Sequence, residues 1–296
     1  MERGRRELGL MIKTNYVHLS DGRQIAYQEY GDPEGHPVFF FHGWIGSRLD
    51  FGPNNEIARE LGIRVIAVDR PGCGESDFKQ GRRLLDWPHD IAELADALGL
   101  ERFGLCGHSF GGPYVAVCAN QLVSRVTSAA IVAGISPLSF KGATRGMLAM
   151  VRLGLWVGGR APVVVRPYVA LMSTMVKRPG MVRKGISSRL PDAELALLDT
   201  PRFFGYFENV GEMVKHGSNG PYWDARVFLG QWGFDCADIR VPVSLFYGTA
   251  DKSVPIQMGE YYRDTIPGSN ATFYEGDGHF IMYYRAKEIL SSLIVS

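Results

Sequence analysis

Three residues of this chain have the types and settings needed for nucleophilic catalysis. Ser109 lies inside "GLCGHSFGGPY", where Gly107, Gly111 and Gly112 surround a lone hydroxyl. A serine is a poor nucleophile by itself; it needs a base to take its proton and an acid to orient that base. "YGTADKSVP" offers Asp251 as the acid and "YEGDGHFIMYY" offers His279 as the base. Asp277, two residues before His279, is the rival acid, and its place suits shaping the loop better than orienting the base. No Asp or Glu occurs between Arg102 and Pro191, so an acid placed after the apolar run Val126–Gly134 is ruled out. A tetrahedral intermediate also needs donors for its oxyanion. "FFFHGWIGSR" is expected to provide the backbone N–H of Trp44, paired with that of Phe110 after the serine.

These residues must be held by something, and the apolar runs show what. "YVHLSDGRQIAYQEYG" reads as a hairpin turning at Asp21-Gly22. Pro37–Phe41, Arg64–Asp69, Arg102–Gly107, Val126–Gly134 and Val241–Gly248 are continuous apolar runs, as expected of strands covered on both faces. Helical patterns at Asn54–Leu61, Leu84–Leu98 and Gly112–Leu122 alternate with them. The fold class is therefore α/β, a mostly parallel sheet with helices on both faces. In such sheets ligands bind beyond the carboxyl ends of the strands. Ser109, Asp251 and His279 each follow a strand there. The strand-to-helix turn at Ser109 is sharp, and glycines relieve its crowding.

The alternation stops near Ser136 and resumes near Ile239. The expected organisation is a core of residues 1–136 and 237–296 with a helical cap inserted as residues 137–236. An aromatic cluster in "PRFFGYFENV" supplies Phe203, Phe204 and Phe207 as candidate lining of an apolar substrate pocket. Trp44 is a further candidate, because its place beside the nucleophile does not depend on the cap.

Composition narrows the function classes. The chain has 296 residues, 32 basic and 31 acidic, so no global field calls for nucleic acid. Four cysteines show neither a CxxC pair nor metal-ligand spacing, and no metal is expected. The charged N-terminal stretch lacks the apolar core of a signal peptide, and no uncharged apolar run reaches about 18 residues. A cytoplasmic location is expected. From Pro137 to Pro191 there are ten basic residues and no acidic one, which leaves 22 basic and 31 acidic elsewhere. A solvated helix face explains this pattern; contact with an anionic membrane surface is the alternative.

In order, "HGWIGSR", "DRPGCGESD", "GHSFGG", "GTADKSVP" and "GDGHF" resemble the segments of the α/β-hydrolase superfamily, in its form with a helical cap. The likeness runs from the hairpin to the final helix. It implies Ser109 as nucleophile, His279 as base and Asp251 as orienting acid, with no organic cofactor. "DRPGCGESD" reads as a structural turn with little catalytic weight. Epoxide-hydrolase and dehalogenase relatives carry aspartate where Ser109 stands, and iminopeptidase relatives carry HGGPG where this chain has "HGWIG". Both departures favour acyl transfer on a small or medium apolar carboxylic ester. The same three residues would serve carbon–carbon bond hydrolysis or cofactor-free perhydrolysis, and a hydrolase-fold ligand receptor is the non-enzymatic alternative.

Overall fold

The computed structural model describes residues 13–175, 192–197, 200 and 208–294. Eight strands form one sheet: β1 Asn15–His18, β2 Gln24–Gly31, β3 His36–Phe41, β4 Ile63–Val68, β5 Phe103–His108, β6 Val126–Val132, β7 Val243–Gly248 and β8 Asn270–Tyr274. Their order is β1-β2-β4-β3-β5-β6-β7-β8. The first two strands are antiparallel to their neighbours; all pairs from β4 to β8 are parallel. The expected hairpin turns through Gly22, whose φ of 85° is the left-handed conformation glycine adopts without strain.

The phenylalanines of β3 show why apolar runs mark this sheet. Phe39 and Phe41 pack into the layer containing Leu94, Leu105 and Val115, while Phe40 packs on the opposite face with Phe51 and Ile289. Side chains alternate across a strand, so both faces must be apolar when both are covered. The helices Asn55–Glu60, Trp87–Ala97 and Gly112–Gln121 supply part of that cover. Each lies within its expected range, the first two being preceded by 3₁₀ turns at Arg48–Asn54 and Leu84–Asp86.

Between β6 and β7 the described residues contain helices and no strand: Ala149–Arg160, Val165–Met175, Asp192–Leu197, residues 208–213 and Asn219–Leu229. No helix among the described residues is long and apolar enough to cross a membrane.

Candidate active site

Strands β3 and β5 are parallel neighbours, with Phe41 beside Gly107. Two turns therefore leave the same edge of the sheet side by side: His42-Gly43-Trp44 after β3, and Ser109 after β5. Ser109 has φ 55°, unusual for a residue with a side chain and a source of local strain. The surrounding glycines are required by proximity. A Cβ on Gly107 would stand 2.6 Å from the Gly111 carbonyl oxygen, and one on Gly111 would stand 2.0 Å from that of Phe41. On Gly112 it would meet the Cα of Gly134 at 2.8 Å. Only bare backbone lets strand, turn and helix approach so closely.

Asp251 follows β7 and His279 follows β8, and the two meet over Ser109. The hydroxyl of Ser109 donates to Nε2 of His279 at 3.0 Å, and Nδ1 of His279 donates to Oδ2 of Asp251 at 2.7 Å. A carboxylate can only accept, so Nδ1 carries the proton and Nε2 is left basic toward the serine. The other oxygen of Asp251 accepts the backbone N–H groups of Ser253 and Val254 at 2.7 and 2.9 Å. Asp277 turns elsewhere and accepts from Nε of Arg285 at 2.8 Å. Burial works against a charged imidazolium at His279. The charge and hydrogen bond of Asp251, followed by Glu194 and Asp50, outweigh burial and raise its pKa above the ordinary histidine value.

Several residues at the site were not anticipated from sequence. His108, the last residue of β5, donates from Nε2 to the carbonyl of His279 at 2.9 Å and so supports the loop bearing that residue. Buried Asp50 accepts from Gly43 N–H (3.2 Å), Asn209 (2.9 Å) and the Tyr283 hydroxyl (2.6 Å). Glu194, buried on a helix of the inserted segment, accepts the Phe280 N–H at 2.7 Å. Burial raises its pKa, though the nearby N–H groups and His279 oppose the shift. His42 is buried, and its pKa falls to about 3 through burial and the charge of Arg70.

A cavity of about 440 Å³ opens over Ser109 and His279. Trp44, Phe110, Leu155, Val165 and Phe228 are among its walls, and among the described residues no lysine or arginine lines it. The Trp44 ring packs against the helices between β6 and β7. It stacks on Tyr168 at 5.9 Å and 11°, meets Phe228 edge-on at 6.0 Å, and donates from Nε1 to the Pro221 carbonyl at 3.1 Å. Phe203, Phe204 and Phe207 lie outside the described residues.

With this geometry in place, comparison with known proteins is informative. The profile of the alpha/beta hydrolase fold family matches residues 36–286. The chain belongs to the α/β-hydrolase fold family. A non-heme chloroperoxidase of Streptomyces lividans is 38% identical over 130 residues, 43% of this chain and 47% of that protein. A bifunctional esterase/perhydrolase of Acinetobacter calcoaceticus is 32% identical over 128 residues, 43% of this chain and 46% of that protein. The match thus spans about half the length of these curated relatives. An esterase from Exiguobacterium antarcticum superposes with a TM-score of 0.70 over 95% of this chain and 98% of its own, at 23% identity, a likeness of fold.

Proposed function

We propose that this α/β-hydrolase is a serine hydrolase that cleaves neutral carboxylic esters with an apolar acyl group. The observation that carries this reading is the continuous chain from Ser109 through His279 to Asp251, with the histidine tautomer set by the carboxylate. In the first step His279 takes the Ser109 proton as Oγ attacks the ester carbonyl. The N–H groups of Trp44 and Phe110 stabilise the oxyanion, and the protonated His279 then delivers its proton to the departing alcohol. Water, deprotonated by the same imidazole, releases the acid and regenerates Ser109. Every step is a proton transfer or acyl transfer, so the chain's own groups suffice.

The substrate class rests on the cavity. Its walls are mainly apolar, and it contains Asp50 and Glu194 with no cation among the described residues. An ionised acid would enter beside two carboxyl groups, at a desolvation cost that no lysine or arginine among the described residues offsets. That weighs against carbon–carbon hydrolysis of anionic diketones and for neutral esters. The helices between β6 and β7 act as the cap, forming the wall that carries Leu155, Val165 and Phe228. Perhydrolysis is the second reading, favoured by the likeness to an esterase/perhydrolase. It uses the same acyl-enzyme, with hydrogen peroxide replacing water as acyl acceptor and a peracid as product.

A panel of p-nitrophenyl esters from acetate to decanoate tests the reading, with a half-ester bearing a free carboxylate as the charged comparison. Multiple turnovers on neutral esters are expected, with kcat/KM at least about tenfold lower for the charged one. Absence of turnover on every neutral ester would defeat the proposal.

A further inference from the structure

The turn Asp69–Asp77 follows β4, and β4 is the parallel neighbour of β3, with Val68 beside Phe41. Arg70 thereby comes to lie directly beneath His42 and Gly43. Its side chain is fully buried, and each of its three guanidinium nitrogens donates to at least one acceptor. Nη1 donates to the His42 carbonyl, and Nη2 donates to the Gly43 carbonyl at 3.1 Å. The Gly43 carbonyl also accepts from Nδ1 of His42 at 2.8 Å, while Nε2 of His42 accepts the Arg70 backbone N–H at 3.4 Å.

Peptide planarity gives these contacts a consequence. The Gly43 carbonyl and the Trp44 N–H belong to one rigid trans unit and point in opposite directions. Fastening the oxygen to Arg70 and His42 therefore aims the Trp44 N–H away from Arg70. The preceding N–H, of Gly43, is already given to Asp50. The second oxyanion donor is fixed in the same way: the Ser109 carbonyl accepts the Ile135 N–H at 3.1 Å, which sets the direction of the Phe110 N–H.

Arg70 is itself held by the inserted segment. Asp224, on the helix Asn219–Leu229 and fully buried, accepts from Nε of Arg70 at 3.0 Å and from its Nη2 at 2.8 Å. It also accepts from Nη2 of Arg82 at 3.1 Å and from the Tyr114 hydroxyl at 2.6 Å. Burial opposes ionisation of this carboxyl, but the charges of Arg70 and Arg82 and the hydrogen bonds of Arg70 and Tyr114 prevail and bring its pKa to about 2. The helix start rests on the same turn, since a Cβ on Gly220 would stand 1.8 Å from the Gly72 carbonyl oxygen. Tyr114 lies in the helix that continues from the Ser109 turn.

We propose that Arg70, charged and oriented by Asp224 of the inserted segment, is a positioning residue that holds the Trp44 N–H in place as an oxyanion donor. Docking of the cap and assembly of the oxyanion hole are then one event. This rests on the serine-esterase reading. Lysine cannot replace Arg70, because an ammonium has no planar fork with which to hold two carbonyls and a carboxylate together.

The test compares a carbonyl ester with the matching thionoester, whose sulfur accepts hydrogen bonds poorly and so gains little from an oxyanion hole. In Arg70→Lys, kcat per titrated active site on the carbonyl ester should fall about 10- to 100-fold, with KM within about threefold of the parent. The carbonyl-to-thiono rate ratio should fall at least about fivefold. Asp224→Asn should shift both quantities in the same direction by less. If Arg70→Lys does not accumulate as folded protein, Asp224→Asn is read alone, and Tyr114→Phe, which removes one donor to Asp224, provides the mildest version. Equal losses on both substrates, or an unchanged ratio, would reduce Arg70 to a structural residue and overturn the proposal. An inactive parent would instead defeat the esterase reading, so the two failures are distinguishable.

Discussion

The sheet edge and the inserted segment contribute to the site by different means. The sheet edge supplies the groups proposed to react: Ser109, Asp251 and His279 each sit one to five residues beyond the end of a parallel strand. The inserted segment supplies none of these. Among the described residues it provides apolar wall and polar groups that include Asn209, Asp224 and Glu194, each bound to a core segment that holds backbone at the site. On the proposed reading, chemistry is carried by strand ends, while the supporting loops are held by a separate part of the chain. Sub-ångström placement of donors matters greatly in catalysis, so substitutions in the two regions should differ in kind.

The sharpest challenge to this division is Ser109→Ala. Loss of the nucleophile should reduce ester turnover by about 10⁴-fold or more, with the fold unchanged by circular dichroism. Labelling by a fluorophosphonate should vanish in the same variant. Retained labelling would relocate the nucleophile and dissolve the contrast between the regions. Next in size is Asp251→Asn, which leaves His279 in the wrong tautomer and should cost about 10⁴-fold in kcat. Asp277→Asn should cost less than about fivefold, because Asp277 pairs with Arg285 instead. A reversed pair of results would exchange their roles.

The same division explains what could be read from sequence. The strands, the tight turn at Ser109 and the candidate residues Asp251 and His279 were legible because each is a local signal: an apolar run, a glycine-flanked turn, a polar residue just past a strand. The Asp69–Asp77 turn was legible as a turn, yet the role of Arg70 was not, because its partner Asp224 is 154 residues away in sequence. No local pattern marks a carboxylate that will be buried between two arginines. Trp44 lines the same cavity as Ser109, but the setting of its ring by Tyr168, Phe228 and Pro221 is a property of the helices between β6 and β7. The strand alternation is dictated by neighbours in sequence, whereas the contacts of the helices between β6 and β7 are dictated by how they pack over a cavity.

A smaller effect probes the apolar wall. Leu155 lines the cavity from the helix Ala149–Arg160. Leu155→Trp should shorten the space for the acyl chain. Decanoate-ester kcat/KM should fall about tenfold while acetate-ester hydrolysis changes less than about twofold. Equal effects across chain lengths would mean that this helix does not bound the acyl site.

The subtlest prediction concerns Glu194, the carboxyl that the inserted segment places against the His279 loop. His279 acts as a base only when neutral, so activity rises with pH as the imidazolium loses its proton. Its pKa is raised above the ordinary value of about 6.5, and the acid limb of the kcat/KM profile should therefore be centred above that pH. Burial pulls the limb down, while Asp251, Glu194 and Asp50 push it up. Glu194→Gln removes one of the three carboxylates and keeps an oxygen for the Phe280 N–H, so the loop should stay in place. The limb should then move to lower pH, with the high-pH plateau within about threefold of the parent. Because Asp251 is hydrogen-bonded to the imidazole itself while Glu194 meets backbone N–H groups of the loop, the shift should be far smaller than any change at Asp251. A loss of plateau rate with no movement of the limb would mean that Glu194 acts through loop geometry alone. A shift to higher pH would contradict its electrostatic role and would leave the inserted segment with positioning as its whole contribution to the base.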